Sequence, residues 1–243
     1  MGVGGATSGG RGVGVLDDLR REVCDANCAL VDHGLVTLTW GNVSGICPER
    51  RHVAIKPSGV PYGELTPEHI VVVDLEGNVV EGDLRPSSDT PTHVLLYRHF
   101  AAVGGIAHSH SRHGTAFAQA RREIPCLGTT HADHFHGAVP VTRSLRPAEV
   151  EEDYEASTGR VIAERFEGVD PLDVPAVLVA GHAPFTWGRT VGQAIENAVA
   201  LEAIAAMAVA TLALDPAAPS LEEHVLEKHY HRKHGKTAYY GQR

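Results

Sequence analysis

Apolar residues recur at helical spacing near the start of the chain: Leu16, Leu19, Val23, Ala26 and Leu30 share one face, and Gly34 follows as a C-cap. This pattern predicts a helix that starts at Val15. Short β-rich runs come next, around residues 36–39, 53–55 and 70–74. Glu76-Gly77-Asn78 then reads as a hairpin turn into Val79-Val80. Thr90-Pro91 opens a helix to Phe100, with proline in the first turn, where its missing N–H costs nothing. Strands are expected at residues 106–110 and 177–179. Helices are expected near 111–120, 147–166, 191–214 and 220–229. Helices and strands interleave, and hairpin signals are present. One α/β domain over residues 15–243 follows, with a sheet that is mixed or partly antiparallel. Residues 1–14 are glycine-rich with almost nothing to bury, and are expected to form a disordered tail.

Composition narrows the function classes. With 43% hydrophobic residues over 243 positions, the chain can bury a sizeable core and is not expected to be disordered. Its net charge of −9 argues against a nucleic-acid partner, which needs a positive surface. The alanine-rich stretch 198–213 is interrupted by Glu202 and reads as a core helix, so no membrane span is expected. The four cysteines (Cys24, Cys28, Cys47, Cys126) form no CxxC pair, and no secretory signal precedes them. A reducing cytoplasm is the expected setting.

The candidate chemistry centres on Ala107-His108-Ser109-His110-Ser111, read with His182 far downstream. On a strand, His108 and His110 project from the same side. His182 lies just past the hydrophobic run 177–179. Three imidazoles that leave a coordination position open make a catalytic zinc site. No HExxH motif is present, so the two-histidine helix of the zincins is excluded. Three segments read as anion cradles: Gly41-Asn42-Val43-Ser44-Gly45, Lys56-Pro57-Ser58-Gly59 and Ser87-Ser88-Asp89-Thr90. Together with the lysine they point to a phosphorylated substrate. Asp89 keeps two readings, a helix N-cap or a carboxylate near the metal. The polar run from Thr129 to His136 leaves open a second zinc site and an acid/base role for Asp133. The basic run from Lys228 to Lys236 is either a solvated face or a patch for a phosphate dianion at a subunit interface. Tyr240, close behind it, is a candidate proton donor.

Ordered segments carry a family resemblance from Leu16 to Gln242. They include Thr39-Trp40-Gly41-Asn42-Val43-Ser44, Ile55-Lys56-Pro57-Ser58-Gly59, Pro86-Ser87-Ser88-Asp89-Thr90-Pro91-Thr92-His93, His108-Ser109-His110-Ser111-Arg112-His113, Gly128-Thr129-Thr130-His131-Ala132-Asp133 and Ala238-Tyr239-Tyr240-Gly241-Gln242. The chain resembles the metal-dependent class II aldolases of the fuculose-phosphate aldolase and adducin-head type. Within that family it is most similar to the bacterial L-ribulose-5-phosphate 4-epimerases.

The resemblance implies a single domain with a central mixed, largely antiparallel sheet flanked by helices. It implies one Zn2+ per subunit on His108, His110 and His182 with Asp89 beside them, other divalent ions being acceptable. It assigns substrate phosphate to Asn42, Lys56, Ser58, Gly59, Ser87 and Ser88, with His229 and Arg232 near the site. Asp133 and Tyr240 match an acid/base pair that reaches in from a neighbouring subunit of a homotetramer. Asp89 matches an aspartate of the epimerases where the aldolases carry glutamate. The implied reaction interconverts L-ribulose 5-phosphate and D-xylulose 5-phosphate, in arabinose catabolism or another pentose route. A sugar-phosphate aldolase is the alternative. A non-catalytic scaffold of the adducin-head kind would have lost the metal ligands, which are all present. The chain departs from the family at Ala183 (usually glycine), at Ala180-Gly181, and at His134 and His136 (usually tyrosines).

Overall fold

The computed structural model describes residues 10–235 together with 238 and 239. Its strands are β1 (Asn42–Ile46), β2 (His52–Ile55), β3 (Val71–Asp74), β4 (Val79–Glu81), β5 (Gly105–His108), β6 (Ala176–Leu178) and β7 (Pro184–Gly188). They form one sheet in the order β4-β3-β2-β1-β5-β7-β6. Every neighbouring pair is antiparallel. The one parallel contact among the described residues is an isolated bridge between Val141 and Leu178. The expected mixed sheet is thus antiparallel across all its strands. Short turns suffice to join antiparallel neighbours, and β1–β2, β3–β4 and β6–β7 are consecutive pairs of that kind.

The helices are α1 (Gly10–Asp32), α2 (Thr90–His99), α3 (Arg112–Ala120), α4 (Thr129–Ala132), α5 (Pro147–Arg165), α6 (Val191–Leu214) and α7 (Glu223–His234). On one face of the sheet, α1 and α6 bury Val23, Leu30, Ala194 and Ala198 against Val43, Ala54 and Val72. On the other, α2 and α5 place Leu96, Tyr97, Ile162 and Phe166 against Val53, Val73, Ile106 and Trp187. Ala54 and Val53 face opposite ways because successive strand residues alternate. By length and composition α6 could cross a membrane. It packs instead with Ile195, Leu201, Ile204 and Ala205 inward, and its Glu202 accepts backbone N–H bonds from His113 and Gly114 at the start of α3.

Four expectations need correction. First, α1 begins at Gly10 rather than Val15, so residues 10–14 are helical. Extending an existing helix costs far less than nucleating one, so the amphipathic segment carries the glycines with it. Second, residues 36–39 are not a strand. Leu38 takes φ 54°, and the Trp40 N–H donates to the Thr37 carbonyl at 3.1 Å in a turn. Third, extension begins instead at Asn42, inside the segment expected to be a loop. Its polar residues Asn42 and Ser44 are buried on partners from other elements. Fourth, β5 stops at His108, two residues before the expected end, and β7 was not expected at all. Pro184 opens β7 at its first position, where a missing N–H is tolerated.

Candidate metal centre and active site

His108 stands at the last position of β5. His110 comes not from the same strand face but from the turn that enters α3. His182 lies in the tight β6–β7 turn, which Gly181 makes possible at φ +76°. The three rings form a nearly equilateral triangle, with all three centroid separations at 5.0 Å. Nε2 of His108 and Nε2 of His182 are 3.2 Å apart. The Nδ1 of His108 lies 2.9 Å from the Pro184 carbonyl, which can only accept, so this nitrogen carries a proton and Nε2 is the atom turned to the other two rings. Its ring stacks on Phe185 at 4.1 Å.

Burial pushes both His110 and His182 down to about 4, and the neighbouring imidazoles push in the same direction. Both are therefore neutral ligands at pH 7. Three imidazoles whose ring nitrogens converge fit a divalent ion of the zinc type.

Asp89 precedes α2 but makes no side-chain cap bond there, so the N-cap reading fails. Its Oδ2 lies 4.0 Å from His108 Nε2 and accepts from Asn42 Nδ2 at 2.6 Å. Burial alone would raise the Asp89 pKa, but His108, His93 and the Asn42 bond leave it below the ordinary carboxylate value. It is an ionised group facing the histidine cluster.

Asn42 pairs with His108 across β1 and β5. Gly41 makes this approach possible: a Cβ there would lie 2.6 Å from the His108 carbonyl oxygen, and its φ is +92°. Asn42 Nδ2 also reaches Ser87 Oγ at 3.1 Å, while its Oδ1 is buried without a protein partner. The two serine loops are tied together, since the Ser87 N–H donates to the Lys56 carbonyl and the Ser58 N–H to the Arg85 carbonyl. Lys56 is 2% exposed. Its Nζ donates to the Val60 carbonyl at 2.8 Å and lies over the Tyr62 ring, and burial lowers its pKa. Asn42, Lys56, Ser58, Gly59, Ser87 and Ser88 all line one cavity of about 590 Å3 with Asp89 and the three histidines.

Trp40, Tyr154 and Glu155 line the same cavity and were not singled out from sequence. Tyr154 Oη is 2.7 Å from His182 Nδ1. Helix α5 breaks at Asp153 (φ −165°, ψ 89°), and Asp153 Oδ1 accepts from the Ala156 N–H to restart it. Tyr154 and Glu155 sit on that break. An aspartate that can cap a second helical segment was the one available signal.

Asp133, His229 and Arg232 assemble elsewhere, between the end of α4 and α7, and do not line this cavity. Arg232 grips Asp133 with two bonds of 2.9 and 2.6 Å, and His229 Nδ1 lies 3.2 Å from it. Burial works to raise the Asp133 pKa, but the bonds from Arg232 and His229 leave it below the usual carboxylate range. Tyr240 lies outside the described residues.

Comparison with known proteins identifies the relatives of this chain. The sequence profile of the Class II Aldolase and Adducin N-terminal domain matches residues 21–209. The chain is 49% identical, over 94% of its length and 100% of the relative's, to L-ribulose-5-phosphate 4-epimerase UlaF of Salmonella paratyphi C (strain RKS4594). The same identity and coverage hold for the protein of that name from Salmonella typhi. Among solved structures, an L-fuculose 1-phosphate aldolase superposes with a TM-score of 0.76 at 24% identity, covering 93% of this chain and 97% of the other. L-fuculose-1-phosphate aldolase from Thermus thermophilus gives a TM-score of 0.64 at 24% identity, covering 84% and 98%. At that identity the likeness is one of fold.

Proposed function

Because the chain belongs to the class II aldolase and adducin N-terminal domain family, we propose that it is a zinc-dependent L-ribulose-5-phosphate 4-epimerase. The observation that carries the reading is one cavity holding three converging histidines, an ionised Asp89 and the serine loops. The 49% identity to curated epimerases over nearly the whole chain supports the same substrate.

The chemistry follows from where the ketone lies. In a pentulose 5-phosphate the carbonyl is C2, so the hydrogen on C4 is not α to it. Removing that hydrogen would leave an unstabilised carbanion. Breaking the C3–C4 bond instead sends its electron pair into an enediolate on C1–C3, while C4 becomes the aldehyde of glycolaldehyde phosphate. When bound by His108, His110 and His182 with Asp89 beside them, zinc supplies Lewis-acid stabilisation of the charge on the ketone fragment. Asn42, the hydroxyl groups of Ser58, Ser87 and Ser88 and the N–H groups of Gly59 and Ser88 hold the phosphate, beside the buried Lys56. Held there, the aldehyde turns without escaping and recombines through its other face, which inverts C4.

Each face needs its own proton handler at the C4 oxygen. Asp133 serves one face and Tyr240 the other, both from a neighbouring subunit of a homotetramer, with His229 and Arg232 close to the shared site. Asp133 is ionised, so it can accept a proton, and Arg232 fixes its orientation. The protein acts in the cytoplasm on a pentulose phosphate, in arabinose catabolism or another pentose route.

The test is a coupled assay of L-ribulose 5-phosphate conversion to D-xylulose 5-phosphate, with and without chelator. Chelator-sensitive conversion is expected. Release of free aldehyde without the epimer would make the enzyme an aldolase.

A further inference from the structure

Among the described residues, two groups of three side chains have ligand atoms close enough to share a metal ion, and only one of them is the cavity triad. The other joins His136, on the loop after α4, to Glu227 and His231 of α7. Glu227 and His231 are one helical turn apart and share a face. His136 Nε2 lies 2.7 Å from Glu227 Oε1. His231 Nε2 lies 2.9 Å from Glu227 Oε2. We propose that His136, Glu227 and His231 form a second metal site, which takes a divalent transition ion such as Zn2+ and clamps α7 to the loop behind Asp133.

The donor set selects the ion. Two imidazole nitrogens and one carboxylate suit Zn2+, Ni2+ or Cu2+, whereas Mg2+ and Ca2+ prefer all-oxygen shells. The spacing is close to what zinc needs. With bonds of about 2.0–2.1 Å, tetrahedral geometry sets neighbouring ligand atoms about 3.3 Å apart. Each nitrogen–oxygen pair must therefore open by roughly half an ångström, and because the two imidazoles meet opposite oxygens of Glu227, the carboxylate must also turn for one ion to reach both nitrogens.

The least flexible member is already held in place. The His136 ring stacks on Tyr230 at 4.4 Å and 14°, and its backbone N–H donates to the Asp173 carbonyl at 2.9 Å. Tyr230 is fixed in turn by donating its hydroxyl to Asp173 Oδ1 at 3.2 Å. His231 is 56% exposed, so a water can complete the shell. The location gives the clamp a consequence. Helix α7 also carries His229 and Arg232, which hold Asp133, and His136 lies three residues beyond Asp133. The second site is thus a positioning device for the Asp133 ion pair and touches no reacting atom.

The experiment titrates metal-stripped, full-length protein with ZnCl2 by calorimetry and follows α7 by hydrogen exchange. Two equivalents per chain are expected. His136→Gln and His231→Gln should each abolish the second equivalent, or weaken it more than about tenfold, while the first survives. His108→Ala should lose the first and keep the second, so failure of the cavity site is read separately. The second equivalent should slow exchange in α7 in the wild type and not in His136→Gln. A single equivalent lost in His108→Ala overturns the proposal. So does a second equivalent that both glutamine variants retain, or one that leaves α7 exchange unchanged. Far-ultraviolet circular dichroism of the variants separates a lost ligand from a lost fold, and the two glutamine variants must agree.

Discussion

The phenol of Tyr154 lies 2.7 Å from His182 Nδ1, so the helix break in α5 reaches directly into the histidine triad. When His182 Nε2 holds an ion, its Nδ1 carries the proton and donates to the phenol oxygen, which fixes the ring's orientation. Tyr154→Phe removes this partner and leaves the packing. Metal affinity should fall about 10–100-fold, as is usual for such outer partners. Competition with a chromophoric chelator measures it. Unchanged affinity would mean that Tyr154 only lines the cavity.

Asp133 and the histidine triad are separate within one chain, and this sets up a test of the shared site. Asp133→Asn should lose about 10²–10⁴-fold in turnover, the usual worth of a positioned acid or base, while keeping its metal. His108→Ala should lose the metal. Mixed and reassembled, the two inactive variants should regain activity in hybrid sites that combine one intact triad with one intact Asp133. Absence of any recovery in confirmed hybrids would place both groups on the same chain.

Two buried histidines outside the triad predict the acid sensitivity of the fold. Burial pushes His93 down to about 3 and His131 down to about 4. Both are neutral in the folded state at pH 6, whereas the unfolded chain binds protons below about 6.5. A lowered histidine pKa means that stability is complete above the unfolded value. It is then lost as pH falls towards the folded one. Each histidine contributes a slope of up to about 1.4 kcal/mol per pH unit in that window. Urea midpoints of metal-free protein should therefore drop between pH 6.5 and 4.5. His93→Gln should flatten the profile, and a profile of unchanged slope would contradict the assignment.

Glu202 holds the first turn of α3, just past His110. Its carboxylate accepts from the N–H groups of His113 and Gly114, both at 3.0 Å, and from His113 Nδ1 at 2.7 Å. Glu202→Ala leaves these helix donors unpaired and should cost about 2–3 kcal/mol. Chemical denaturation at pH 7 reads that loss directly. A loss below about 0.5 kcal/mol, the scale of an ordinary surface substitution, would show that water replaces the carboxylate.

Much of this site was legible in the residues themselves. Paired histidines after a short apolar strand, a distant histidine after another, and serine-rich loops each announce chemistry in the sequence. Their convergence rested on the resemblance, because nothing local in Lys56-Pro57-Ser58 says that it meets Ser87. The misread strands have physical reasons. Asn42 and Ser44 look like loop residues, but inside the sheet Asn42 Nδ2 donates to Asp89 and Ser44 bonds to His93 and Tyr97. The run at 36–39 looks extended, but the turn into Gly41 prevails. His110 belonged to the triad by a different route than strand alternation, since the chain bends after His108. Tyr154 had no signal of its own, because the helix break beside it carries neither glycine nor proline and is marked only by the capping Asp153. The His136–Glu227–His231 cluster depends on α7 docking, which no spacing along the chain reveals.

The central claim is that C4 is inverted by breaking and remaking the C3–C4 bond. The most direct measurement uses L-ribulose 5-phosphate carrying deuterium at C4, converted in ordinary water and followed by NMR. Cleavage and re-addition leave the C4–H bond intact, so D-xylulose 5-phosphate should keep the deuterium in full. Loss of deuterium to solvent at the rate of conversion would contradict the account, because it would show that the C4 hydrogen is itself removed.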